Sequence, residues 1–207
     1  MTAANFQDEN SGAHDFAPTP STPKQRITWE DFQRDYLTRE DEFLYEWLDG
    51  EIEISKRTMN YTQAFILKNL QVFLRELIGL SKANGEFIHE VDAFFGKNHR
   101  RPDSSFFSNE QIAKMTRGEN QVPLFIIEII STNDQINLFS KKMKDYRAAG
   151  VRVVWEIRPE VKEVYVYSDK DLKVIKLCMG EDLCSAAPVL DDFMMSVNDV
   201  LKMPEEK

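Results

Sequence analysis

The chain has 207 residues, 42% of them hydrophobic and 29% charged, a composition that fits one medium domain with an ordinary core and excludes a disordered or membrane-embedded protein. A formal charge of −9 argues against a protein that coats nucleic acid electrostatically, and no apolar run approaches the roughly 20 residues that span a bilayer. Cys178 and Cys184 suggest neither a disulfide framework nor a zinc site and read as reduced core thiols, and the scattered His14, His89 and His99 have no metalloprotease or Ser/His spacing.

Residues 1 to 24, rich in Ser, Thr, Pro, Asn and Ala, read as a disordered tail without the basic head and apolar core of a signal peptide. A cytoplasmic protein is the default expectation, with residues 25 to 203 forming a single domain. Thr28, with Asp31 three positions on, offers a cap for the short amphipathic helix WEDFQRDYL. In YEWLDGEIEIS, Asp49-Gly50 between two alternating runs signals a two-residue hairpin. That register puts Tyr45, Trp47, Ile52 and Ile54 on one face and Glu46 opposite Glu53 on the other. From Tyr61 to Leu80, Phe65, Ile66, Leu70, Phe73, Leu74, Leu77 and Ile78 recur at helical spacing. EFIHEVDAFFG and PDSSFFS read as strands joined by a basic loop, KNHRR, and NEQIAKMTRG as a short helix.

PLFIIEII follows, with the length and β-branched content of a strand buried on both faces. An unpaired carboxylate inside it would cost several kcal/mol, so Glu128 needs a cation, a proton or a task. Asn137 to Ala149 is a second helix, stopped by Gly150. At about 100° per residue, Leu138, Phe139, Met143, Tyr146 and Ala149 form its apolar stripe. Lys142 falls inside that stripe, while Lys141, Lys144, Asp145 and Arg147 fall outside. VRVVWEIRP, KEVYVYS and DLKVIKL make a run of strands, and APVLDDFMMSVNDVL closes the domain. The strand, helix and strand from 123 to 157 form a βαβ crossover on an otherwise antiparallel sheet.

Lys142 is thus the nearest candidate in sequence to partner Glu128, and Asp103, at the mouth of the PDSSFFS strand, supplies a second acid. Two carboxylates and an inward lysine suit Mg²⁺, which takes oxygen ligands and keeps several waters. The lysine can orient or deprotonate such a water and neutralise charge on phosphoryl oxygens. Between Gly96 and Gly150, nine basic residues face six acidic ones, so this stretch carries +3 within an acidic chain and could meet a phosphate backbone. Plainer readings stand beside these. Glu128 and Lys142 could be a structural ion pair, Asp103 a strand-entry acid bonded to Arg100 or Arg101, and Glu46 an exposed hairpin residue. KNHRR could be solvated or touch phosphates. Trp29, Trp47 and Trp155 could pack or offer stacking surfaces.

The order YEWLDGE, RPDSSFF, FIIEIISTND and KKMKDYRAAGVRVVWEIRP resembles the Uma-type restriction endonuclease family of the PD-(D/E)XK nuclease superfamily, over roughly residues 27 to 200. The resemblance implies an α/β, restriction-endonuclease-like core, a mixed β-sheet flanked by helices with antiparallel strands towards the C-terminus. It further implies a Mg²⁺-dependent endonuclease, Mn²⁺ being a substitute, with DNA as substrate. By position, Asp103 and Glu128 match the two metal-binding acids, with the Ile129 carbonyl as a further ligand, Lys142 the catalytic lysine and Glu46 an additional acid. Ile130 stands where the superfamily places its lysine, and Thr62 where many relatives begin the long helix with His. The alternative is a catalytically silent module of the same fold that binds nucleic acid or a protein. The sequence leaves a homodimer open.

Overall fold

Asp49 and Gly50 both adopt positive φ, +46° and +92°, as the two-residue turn between alternating runs requires. They join β1 (Phe43–Leu48) to β2 (Glu51–Lys56) in the expected register, Tyr45 opposite Ile54 and Glu46 opposite Glu53. The computed structural model describes residues 26–56, 61–130 and 133–204; the expected tail over residues 1–24 lies outside them. Before this hairpin, Thr28 accepts the Asp31 N–H and caps α1 (Trp29–Phe32), which continues with a wider π-type turn over Gln33–Leu37. After it comes α2 (Tyr61–Gly79), whose buried stripe is Ile66, Leu67, Leu70, Leu74 and Leu77, with Ile78 rotated into solvent.

EFIHEVDAFFG is not one strand. It breaks into β3 (Gly85–His89) and β4 (Ala93–Phe95), with Glu90 at a φ of +47° between them. Nor is KNHRR a solvated loop: Asn98–Arg100 form β5, hairpinned to β4, and Arg100 is 2% exposed. The chain continues through β6 (Ser104–Ser108), α3 (Asn109–Met115), β7 (Phe125–Ile129), α4 (Asn133–Ala149), β8 (Val153–Arg158), β9 (Glu163–Ser168) and β10 (Val174–Met179). The closing segment holds a hairpin that alternation did not reveal, β11 (Leu183–Ala186) and β12 (Leu190–Ser196), before α5 (Val197–Val200).

Among the described residues these strands make three sheets. The main one has six strands in the order β10-β9-β8-β7-β6-β3, the second four in the order β2-β1-β5-β4, and β11-β12 stand alone. Only β7 and β8 pair in parallel in the main sheet, joined by α4 as the βαβ crossover predicts. The residues of β7 alternate between two cores, which explains its unbroken apolar run. Phe125, Ile127 and Ile129 pack with α2, β12 and α5, and Ile126 and Ile130 pack with α4 and β4. Trp155 lies in the first core against Phe125 and Phe193, and Trp29 meets Trp47 and Phe94 edge-on, so all three tryptophans serve packing. The smaller sheet therefore sits against α4, beside the ends of β6 and β7.

Candidate functional site

The ladder between β6 and β7 stops early, and a proline accounts for it. Phe106, Ser105 and Ser104 pair with Phe125, Ile126 and Ile127; continued, this register sets Asp103 opposite Glu128 and Pro102 opposite Ile129. The Ile129 N–H points towards β6, where a residue at position 102 would exchange two ladder hydrogen bonds with it. Pro102 has no N–H to give the Ile129 carbonyl. The Asp103 side chain occupies the gap instead: its Oδ2 accepts the Ile129 N–H at 2.6 Å. Asp103 does not bond to Arg100 or Arg101; its Oδ1 takes no hydrogen bond among the described residues.

Opposed residues share a face, so Asp103 and Glu128 both point towards α4. There, Lys142 and Tyr146, one helical turn apart, converge on Glu128. The Lys142 Nζ lies 3.0 Å from Glu128 Oε2 and 3.2 Å from Oε1, and the Tyr146 hydroxyl donates to Oε1. Lys142 also lies 3.6 Å from Glu46 of β1, so the inward lysine is shared by two acids.

Glu46 is not an exposed hairpin residue but 7% exposed. Its Oε1 accepts the Arg101 N–H at 2.7 Å and its Oε2 lies 3.0 Å from Arg100. Arg100 binds three carboxylates at once: Glu46, Glu53 at 2.8 Å and Asp145 of α4 at 2.8 Å. Lys141 pairs with the other oxygen of Glu53. Arg100 and Lys141 thereby fasten the small sheet to the helix that carries Lys142. A phosphate contact by Arg100 is excluded by this burial and full occupancy. Sequence reasoning missed Arg100, Glu53 and Tyr146 as parts of this assembly. The hairpin register already paired Glu53 with Glu46, and the position of Tyr146 four residues after Lys142 was a signal that a core reading absorbed.

Together Glu46, Asp103, Glu128 and Lys142 line one cleft, with Glu90 and Arg101 at its wall. Burial pushes the Glu128 carboxyl up to about 7, the Asp103 charge adding to the rise that Lys142 opposes. Burial likewise raises Asp103, against the pull of Lys142. For Glu46 burial also works upwards, but the charges of Lys142 and Arg100 outweigh it and hold the group below its ordinary value. Burial disfavours the Lys142 ammonium, yet Glu128, Glu46 and Asp103 overcome that and raise it above an ordinary lysine. Lys142 is therefore held as a cation by its acids in this arrangement.

The donor set has the chemistry of a hard divalent cation site. It offers two carboxylates with raised proton affinity, one Asp103 oxygen that takes no hydrogen bond among the described residues, and the Ile129 carbonyl that Pro102 cannot serve. No group of three or more His, Cys, Asp and Glu among the described residues is gathered at metal-ligating spacing, so such an ion would take its remaining ligands from water or substrate.

A family model described as "Putative restriction endonuclease" matches residues 29–198, nearly all the described chain. The chain belongs to the Uma2 family. The Uma2 match runs from the start of α1 into α5 and thus covers the whole cleft. A solved structure described as a putative nuclease belonging to DUF820, from Anabaena variabilis, shares the fold. It has a TM-score of 0.68 and 19% identity over 84% of this chain and 97% of that one. No curated protein matches this Uma2 chain. The mixed, helix-flanked α/β fold is as the resemblance implied, and no helix among the described residues is long and apolar enough to cross a membrane.

Proposed function

We propose that this Uma2 protein is a Mg²⁺-dependent endonuclease that hydrolyses phosphodiester bonds in DNA, Mn²⁺ serving as a substitute. The observation that carries this reading is the convergence of Asp103, Glu128 and Lys142, from β6, β7 and α4, on one open cleft. The family description supports a nuclease, and DNA follows from it as the substrate class. Asp103, Glu128 and the Ile129 carbonyl would hold the ion, whose chemistry is to polarise a phosphoryl oxygen and acidify a bound water. Lys142, held protonated by its acids, would offset negative charge as it develops on the phosphoryl oxygens. Glu46, kept ionised by Arg100 and Lys142, would accept a hydrogen bond from the attacking water and orient it.

Purified protein incubated with supercoiled, linear and branched DNA in Mg²⁺ or Mn²⁺ should nick or cut at least one form. Asp103→Ala and Lys142→Ala should each reduce cutting by about a hundredfold or more. Failure to cut any form, or cutting by both variants at the wild-type rate, overturns the catalytic reading. The acid surplus of the cleft and the net charge of −9 favour a second reading, a silent module of the nuclease fold. Duplex binding with the same affinity in chelator and in Mn²⁺ would support it.

A further inference from the structure

We propose that Tyr146 is a positioning residue that fixes which oxygen of Glu128 is offered to the ion, an inference that rests on the metal-site reading above. A glutamate's terminal torsion is broad and nearly two-fold, so packing alone does not distinguish its two oxygens. Here they are distinguished. Oε1 receives the Tyr146 hydroxyl as well as Lys142 at 3.2 Å, whereas among the described residues Oε2 has Lys142 alone, at 3.0 Å. The phenol is itself held firmly: Tyr146 is fully buried, its ring lies 4.9 Å from that of Phe95 on β4, and its backbone stands one turn after Lys142. Glu128 therefore presents Oε2 as a preset, single-oxygen ligand in the cleft that Asp103 also lines. The Arg100 assembly does the equivalent for Glu46, so the two acids are oriented by separate devices.

Tyr146→Phe keeps the ring and removes the hydroxyl. Titration calorimetry with Mn²⁺ on the DNA-free protein should show affinity about tenfold or more below wild type, the effect typical of losing a group that orients a metal ligand. In cleavage, kcat should fall while KM for DNA stays within about twofold, because the phenol does not touch substrate. Phe95→Leu is the control for packing: it loosens the same ring but retains the hydroxyl, and should lower the unfolding midpoint while leaving Mn²⁺ affinity within about twofold. Equal Mn²⁺ affinity in wild type and Tyr146→Phe overturns the inference and leaves the nuclease reading intact. A loss in Phe95→Leu as large as in Tyr146→Phe also overturns it, reducing Tyr146 to packing. Absence of Mn²⁺ binding by the wild type removes both readings together.

Discussion

Two glutamates lie side by side in the centre of the main sheet, and only one of them lines the cleft. Glu128 on β7 and Glu156 on β8 are register partners, both nearly inaccessible, and each receives one tyrosine hydroxyl and one cationic side chain. Glu156 takes Tyr167 at 2.6 Å and Arg158 at 2.7 Å, the latter from two residues along its own strand. That assembly is closed: the arginine and the tyrosine take one oxygen each, Tyr167 lies under Phe139, and Glu156 does not line the cleft. Glu128 has Asp103 beside it, a lysine divided between two acids, and an opening to solvent. A buried carboxylate with a cation is thus a common structural device. What sets Glu128 apart is a second acid, one of whose oxygens takes no hydrogen bond among the described residues, and a cation too few to neutralise the group.

The contrast is sharpest in metal binding. Glu128→Gln should abolish Mn²⁺ binding in calorimetry and reduce DNA cutting by about a hundredfold or more, whereas Glu156→Gln should leave both within about threefold. Equal losses in the two variants would break the comparison. Stability should run the other way. Glu156→Gln in the apo protein should cost about 1–3 kcal/mol by urea unfolding, since Arg158 loses its buried counter-charge and Tyr167 a charged acceptor.

Acidity gives the next effect. The folded-state value of Glu128, about 7, lies above its ordinary value of 4.5, so the fold prefers the protonated acid. Its contribution to apo stability is fully present below pH 4.5 and is lost as pH rises through 7. Wild type should therefore lose on the order of 1–3 kcal/mol relative to Glu128→Gln between pH 4.5 and 8, as measured by unfolding in chelator. Since an ion needs the ionised acid, Mn²⁺ affinity should fall by up to about tenfold per pH unit below 7. A flat profile would place Glu128 with Glu156 as a sealed ion pair. The smallest effect is expected at Pro102. Pro102→Ala restores an N–H opposite the Ile129 carbonyl and should weaken Mn²⁺ binding a few-fold, with slow hydrogen exchange at the new amide. An unchanged affinity would remove that carbonyl from the ligand set.

Much of this contrast could be read before any coordinates. FIIEII announced a strand buried on both faces, and the angular position of Lys142 aimed it at Glu128, because both follow from local periodicity. The hairpin register followed from Asp49-Gly50. Alternation could not show that KNHRR is a strand whose Arg100 is consumed internally. Three charges in five residues suggest solvent, and the acids that bury Arg100 come from positions 46, 53 and 145. Glu156 was passed over as part of a strand, since its partner Tyr167 lies on another. The β11–β12 hairpin escapes notice because β11 is only four residues long and the buried residues of β12 do not recur at every second position.

The Arg100 junction also bears on when the protein can acquire its chemistry. Glu46 and Glu53 are made early in synthesis, while Asp145 and Lys142 emerge almost half a chain later. Until then the guanidinium has no helix to grip, Glu46 lacks Lys142 and Glu53 lacks Lys141. A nascent or broken chain would carry the acidic side of the cleft without its cation, so hydrolytic competence on this reading arrives only with the finished domain.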